Sequence, residues 1–194
     1  MKIKKMKIIV ITSALLFALC SYSSAQDFVK GGNYASLGFV VDPFGNNIVG
    51  GNNVALGAVL AYDRGITDVL GIGRIGAGGI IGFSSYQTSS ASIFIATTKY
   101  RRTRIAVMAR ATYHFEFDID KLDVYAGVAG GMYYNIDTDE TSIFGETVKT
   151  NNNDVTPAYY LFGGVRYYFT DLFGVYLEIG EGFALVSAGI VLSF

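Results

Sequence analysis

The chain has 194 residues, 51% of them apolar, with 15 basic against 16 acidic side chains, one cysteine, one histidine and no tryptophan. A charge balance this close to neutral excludes a nucleic-acid binder held by phosphate contacts, and a lone cysteine excludes a disulfide framework or a thiolate metal cluster. No long apolar run occurs beyond residue 25, so this chain would cross a bilayer with half-apolar strands and not with helices.

Residues 1–25 read as a secretory leader: Lys2, Lys4, Lys5 and Lys7 form its basic end, Ile8 to Leu19 its apolar stretch, and Ser23-Ser24-Ala25 the small-residue cleavage site. The apolar stretch is shorter than the roughly 20 residues a spanning helix needs. Cys20 follows the bulky Leu19, where a lipoprotein signal, by resemblance, carries a small residue, so cleavage is expected after Ala25 and not lipidation at Cys20. The mature chain, residues 26–194, then has no cysteine, and losing four lysines leaves it with a net charge of −5.

Alternation bounded by Gly, Asp, Asn and Thr clusters predicts a first strand at Asn33–Val41, with Ala35, Leu37, Phe39 and Val41 on its apolar face. After a loop from Asp42 to Gly51, the second strand, Asn53–Asp63, turns Leu56, Ala58, Leu60 and Tyr62 outward and Val59 and Asp63 inward, ending in a turn at Arg64–Asp68. The third, Val69–Phe83, is rich in glycine, with Ile75, Ala77, Ile81 and Phe83 opposite Arg74, Gly76, Gly78 and Gly82. A polar loop from Ser84 to Lys99 leads into Arg102–Phe117, where Ile105, Val107, Ala109, Ala111, Tyr113 and Phe115 alternate with Arg104, Met108, Arg110, His114 and Glu116. Asp118–Lys121 turns the chain into Leu122–Asp137; a polar segment, Thr138–Pro157, precedes the sixth strand, Ala158–Phe169. Thr170–Leu172 is a short turn, and Phe173–Ile179 and Ala184–Phe194 close the set. In the last strand Ala188, Ile190, Leu192 and Phe194 face outward, while Leu185, Ser187 and Val191 face inward.

Long and short connections alternate, and rings collect at both ends of the strands: Tyr62, Phe115, Phe117, Tyr167, Phe169, Phe173 and Phe194 at one rim, Phe39, Phe83, Tyr134 and Tyr159 toward the other. This pattern predicts an all-β fold, an eight-stranded antiparallel up-and-down transmembrane β-barrel in the cell outer membrane. Unpaired backbone groups are costly in hydrocarbon, so the first and last strands must pair. Eight strands enclose a lumen just wide enough for side chains to fill. The inward parity carries Asp63, Arg74, Arg110, His114, Glu116, Asp123, Arg166 and Glu178; charges withdrawn from water need partners, so these eight predict an ionic network that blocks the lumen. Glu116 and Asp123 fall opposite each other across a turn, a repulsive pairing unless an arginine, a proton or water intervenes.

The run Gly163-Gly164-Val165-Arg166-Tyr167-Tyr168-Phe169-Thr170-Asp171, the following Val175-Tyr176-Leu177-Glu178 and the terminal Ser187 to Phe194 resemble the small outer-membrane β-barrel family that includes the OmpA transmembrane domain and OmpX-like proteins. The resemblance implies that the aromatic last strand, with Ile190, Leu192 and Phe194, is read by the barrel assembly machinery. It also implies the range of roles in the family: membrane anchors, adhesins, stress or resistance factors and narrow channels. Fold does not choose among these.

Several motifs have plainer readings. Gly71-Ile72-Gly73-Arg74-Ile75-Gly76 matches a dinucleotide fingerprint, but a strand follows where that motif needs a helix and an acid, so no cofactor is expected. His114 is the only histidine, and no nucleophile, base and orienter set accompanies it; neither a metal site nor a catalytic site is expected, and an outer-membrane lipid-modifying enzyme ranks third. Asp137, Asp139, Glu140 and Asp154 lack calcium-loop spacing. Lys99, Arg101, Arg102 and Arg104 are basic near the outer surface, where they can meet lipopolysaccharide phosphates or neutralise lumen acids. The first expectation for function is a monomeric barrel with a structural, surface-loop or adhesion role, the alternative a narrow pore or hydrophobic-solute conduit suggested by inward Val59, Leu185 and Val191. Its partners would be outer-membrane lipids and the assembly machinery, not nucleic acid.

Overall fold

A computed structural model describes residues 28–42, 55–91, 96–117, 119–143 and 146–194. The leader with Cys20, the Gln26 start, the loop from residue 43 to Gly51, and Asn53, Val54 and Asp118 lie outside the described residues. Eight strands follow in chain order: β1 Asn33–Asp42, β2 Ala55–Gly65, β3 Gly73–Ala91, β4 Ala96–Phe115, β5 Leu122–Ile143, β6 Glu146–Tyr168, β7 Phe173–Glu181 and β8 Val186–Ser193. Each pairs antiparallel with the next, and β1 pairs with β8, so the sheet closes into a barrel.

The closing seam runs from Tyr34 opposite Ser193 to Val41 opposite Val186. Asn33 and Phe194 finish it by exchanging backbone bonds of 3.0 and 2.9 Å, so the aromatic terminus is tied into the ladder. Gly38 faces Gly189 in mid-seam. A Cβ on Gly189 would run into the Leu37 carbonyl and the Gly38 Cα, so only glycine permits this close approach of the two strands.

Polarity is inverted relative to a water-soluble barrel. Phe39 is 80% exposed on the outer face, with Leu37, Leu60, Ile81, Val107, Val128, Leu161 and Ile190 around it, whereas Arg166 is 1% exposed and Asp63 fully enclosed. Period-two alternation produces this sorting within the barrel wall, because one parity meets the lumen and the other the surroundings. The rings of Tyr62, Phe169 and Phe194 lie exposed at one rim, and those of Phe83, Tyr134 and Tyr159 toward the opposite end.

Three expectations are corrected. The third strand begins at Gly73, not Val69: Leu70 bridges back to Gly73 through a bend with Gly71 at positive φ. Ser84–Lys99 and Thr138–Pro157 are not plain loops, since β3 to β6 continue through most of them as a paired ribbon. Thr, Ser, Asn and Lys there alternate without an apolar face, so the periodicity that marks a half-buried strand is missing although the hydrogen bonding continues. Finally, β8 starts at Val186, and Leu185 points outward at 47% exposure while Ala184 is enclosed. Gly182, with φ at +105°, resets the parity just before them. Leu185 is therefore withdrawn from the lumen, leaving Val59 and Val191 as its inward aliphatic residues among the three named.

Candidate functional site

The lumen holds a chain of ion pairs contributed by five strands. From β2, Asp63 meets Arg110 of β4 at 2.9 Å and Arg166 of β6; Arg110 also reaches Glu178 of β7 at 2.9 Å. Glu178 accepts a further bond of 2.8 Å from the Tyr125 hydroxyl. Asp123 of β5 lies 2.7 Å from His114 Nδ1 and 3.6 Å from Arg166. All seven of these ionisable groups are buried. The guanidinium of Arg110 stacks 4.5 Å from the Phe162 ring centre, and that of Arg166 lies 4.6 Å from Tyr125. Charge pairing and ring stacking together keep these guanidinium groups compensated away from water.

Arg74 and Glu116 stand apart from that cluster. They pair with each other at 2.7 Å, half-open to the short-turn end, and Arg74 also donates to the Phe28 carbonyl at 2.6 Å. The like-charge opposition of Glu116 and Asp123 is thus relieved by arginines, one for each carboxylate, with His114 assisting at Asp123.

Rings extend the plug along the barrel. Phe28 lies flat on His114, with ring centres 3.4 Å apart, and also stacks on Tyr34 at 4.5 Å. Farther up, Phe162 stacks on Tyr160 at 4.7 Å, and Phe183 meets Tyr160 edge-on at 5.6 Å. Sequence reading missed Phe28 and Phe183. Both sit near Gly-containing turns where no strand parity applies, and the signal was an aromatic residue three positions before Gly31 or directly after Gly182. Beneath Phe28, a pocket of about 260 Å³ opens between Arg74, His114, Lys121 and Tyr168.

Thr112 falls on the expected inward parity of β4 but was not among the expected site residues. His114 Nε2 lies 2.9 Å from its hydroxyl, so Asp123, His114 and Thr112 stand in the order of a proton-relay triad. Thr112 is 3% exposed, and the Phe28 ring covers the imidazole.

Above the outer ring girdle the paired ribbon carries a second charged set. Arg102 binds Asp137 through two bonds of 2.6 and 2.7 Å, and Arg104 pairs with Asn135 and stacks 4.4 Å from Tyr133. These two arginines neutralise and cap groups on the inner side. Lys99 and Arg101 take the outer side, bordering with Gln87, Thr138, Glu140 and Lys149 a groove of about 370 Å³. Lys149 pairs there with Glu140 and Arg101 with Gln87. Asp137 and Glu140 therefore each have a cationic partner.

The hydrogen bonds from Arg102 hold the Asp137 carboxyl below its ordinary value of 3.8. A depressed value means that the pair contributes fully above the ordinary carboxylate pKa and fades as the pH falls through the lower folded value. Asp137→Asn should cost the ribbon about 1 kcal/mol at pH 7 and nothing once the pH has dropped below that range. Amide exchange along Tyr100–Arg104 and Asn135–Asp139, compared between variant and parent as the pH is lowered from 7 through the acid range, measures this; a difference that does not shrink as the pH falls would refute the ionic origin.

No protein-family model matches the chain, and no curated protein matches its sequence. Among solved structures, the chain is similar to Ail, the attachment invasion locus protein of Yersinia pestis, at 12% identity and a TM-score of 0.43, covering 86% of this chain and 100% of that one. It is similar also to the N-terminal β-barrel domain of Pseudomonas aeruginosa OprF (14% identity, TM-score 0.44, 85% and 98% covered) and to Neisserial surface protein A (13%, 0.43, 84% and 96%).

Proposed function

We propose that the chain is an integral outer-membrane barrel whose work is to hold a rigid sheet at the cell surface, in a structural or adhesive role. The observation that carries this reading is the continuation of β3 to β6 beyond the barrel. Residues 146–160 of β6 pair with β5 alone among the described residues, after the pairing of β7 with β6 has stopped at Leu161. A paired, polar ribbon mounted on a closed wall is a platform, because its backbone bonds hold it without a core of its own. The wall supplies the anchor: apolar outside and fully paired around the circumference, it satisfies what hydrocarbon demands of a spanning sheet.

In this reading the lumen is closed by its own side chains. The ion pairs of Arg110 and Arg166 fill the middle, Phe28 covers one end and Phe183 the other. Asp123, His114 and Thr112 form part of that plug and carry no reaction, since the hydroxyl is enclosed and the ring above it covered. We infer that Lys99, Arg101 and Lys149, which border one groove, offer charge-assisted bonds to lipopolysaccharide phosphates. The last strand, with Ile190, Leu192 and Phe194, serves as the segment read by the assembly machinery.

The test joins a gel and a bilayer. Unheated protein in detergent should migrate apart from a heated sample, because a closed barrel resists unfolding, and planar bilayers should show no large, steady conductance. A variant with residues 86–100 and 137–156 replaced by short turns should keep the gel shift and lose surface attachment of cells. Steady conductance by the intact chain would support the pore reading instead, and release of the protein by carbonate without detergent would refute a membrane barrel.

A further inference from the structure

Lys121 holds a backbone conformation that lysine rarely takes. It occupies the third position of the turn from β4 to β5, closed by the Leu122 N–H on the Ile119 carbonyl at 3.3 Å, and its φ is +70°. Glycine or asparagine is the usual residue at such a position, and among the described residues Lys121 is the only non-glycine one with a positive φ. The Tyr168 N–H, bonded to the Lys121 carbonyl at 2.9 Å, fixes this backbone against β6. Local strain held in place by its surroundings is characteristic of ligand sites. Lys30, Arg74 and Lys149 each pair with a carboxylate, whereas the Lys121 ammonium meets none among the described residues.

Lys121 borders the pocket of about 260 Å³ together with Arg74 and Glu116. Those two bond to each other through Oε1 of Glu116, and their side chains stay 20% and 41% exposed. Phe115, Phe117 and Leu122 line the same pocket. Phe115 and Leu122 share the parity of the outward residues Val107 and Val128 on β4 and β5, and Phe117 is exposed. One border of the pocket is therefore ionic and belongs to the lumen mouth, and the other is apolar and belongs to the lipid-facing wall.

We propose that this pocket binds the phosphodiester of a phospholipid from the periplasmic leaflet, with Lys121 and Arg74 on the phosphate, Glu116 on a headgroup amine, and the acyl chains along Phe115, Phe117 and Leu122. The proposal rests on the membrane-barrel reading, in which short turns face the periplasm and this turn lies level with the headgroups of that leaflet. Ammonium and guanidinium groups make short, charge-assisted bonds to phosphate, and Lys121 brings its charge on a flexible stem to the open side of the pocket. Two cations beside one carboxylate match a zwitterionic headgroup, since the phosphate takes the cations and the amine the carboxylate. Inorganic phosphate or a soluble phosphodiester offers the same anion but makes no use of the apolar border. The site lies at the opposite end of the barrel from the groove of Lys99, Arg101 and Lys149.

The test titrates the full-length folded barrel, in maltoside micelles that carry no phosphate, with dioctanoyl phosphatidylethanolamine. Backbone amide resonances of Arg74, Glu116, Lys121 and Leu122 should shift and saturate, while those of the ribbon stay in place. Lys121→Gly removes the ammonium and suits the positive φ, so it should keep the gel shift and raise the half-saturating lipid concentration about tenfold, the effect of one charged hydrogen bond. Lys121→Arg should retain binding. Glu116→Gln should abolish the preference for phosphatidylethanolamine over phosphatidylglycerol, whose headgroup has no amine. Glycerophosphoethanolamine and inorganic phosphate, which lack acyl chains, should each bind at least about tenfold more weakly than the lipid. Equal lipid binding by Lys121→Gly and the parent, in barrels that both keep the gel shift, would overturn the proposal alone. Glycerophosphoethanolamine or phosphate binding as tightly as the lipid would assign the pocket to a soluble anion and overturn it as well. Absence of the gel shift from the parent chain would instead overturn the barrel reading.

Discussion

Replacing Arg110 by alanine should cost the folded barrel about 3–5 kcal/mol, the typical loss when one member of a buried charge pair is removed. Arg110 is the link between Asp63 and Glu178, 2.9 Å from each, and its side chain has no exposure. Among the described residues, Glu178 then keeps the Tyr125 hydroxyl and Asp63 keeps Arg166. Equilibrium unfolding in urea from detergent or lipid should therefore shift to much lower denaturant. The double change Arg110→Met with Glu178→Gln should recover most of the loss, since it removes the stranded carboxylate along with its partner and leaves Asp63 paired with Arg166. A loss below about 1 kcal/mol for Arg110→Ala would mean that water reaches the cluster and that the lumen is wetter than the side-chain packing indicates.

The second large effect is expected on the opposite parity. Ala109 lies on the outer face of β4, between Gly79 of β3 and Gly130 of β5, so a larger side chain there meets no steric barrier. Ala109→Arg should nevertheless destabilise the barrel by about 2–4 kcal/mol in a bilayer, the depth-dependent penalty for a guanidinium on the lipid face. The same change should be nearly neutral if this face met water, as in a soluble barrel. Unfolding measured in phospholipid vesicles separates the two outcomes. Paired with Arg110→Ala, one residue away on the same strand, this makes the inside–outside assignment a matter of opposite responses to charge: gaining one outside and losing one inside both destabilise.

The closed eight-stranded order was legible in the chain because each wall strand separates two unlike surroundings. Val107, Ala109 and Ala111 against Met108, Arg110 and Thr112 is a pattern only a two-faced strand needs. The ribbon was not legible as strand. Thr147 to Thr156 has the same solvent on both faces, so nothing selects an alternating residue type, and hydrogen bonding to β5 holds the conformation instead. Leu185 was misplaced for a related reason: parity counts back correctly from Phe194 to Val186 and fails at the bend introduced by Gly182.

For the charges, the amino-acid order determined which side chains enter the lumen and nothing about who meets whom. Asp63 and Arg166 are 103 positions apart, and no local spacing relates them. Their meeting depends on strand tilt and on how far each strand is staggered around the closed wall, quantities set by all eight registers together. The same stagger parts Arg74 and Glu116 from the central cluster, stacks Phe28 on His114, and carries β6 past the end of its pairing with β7, so that among the described residues it pairs there with β5 alone. Parity is a property of a single strand and can be read along the chain, whereas partnership and exposure of an edge arise only once the cylinder has closed.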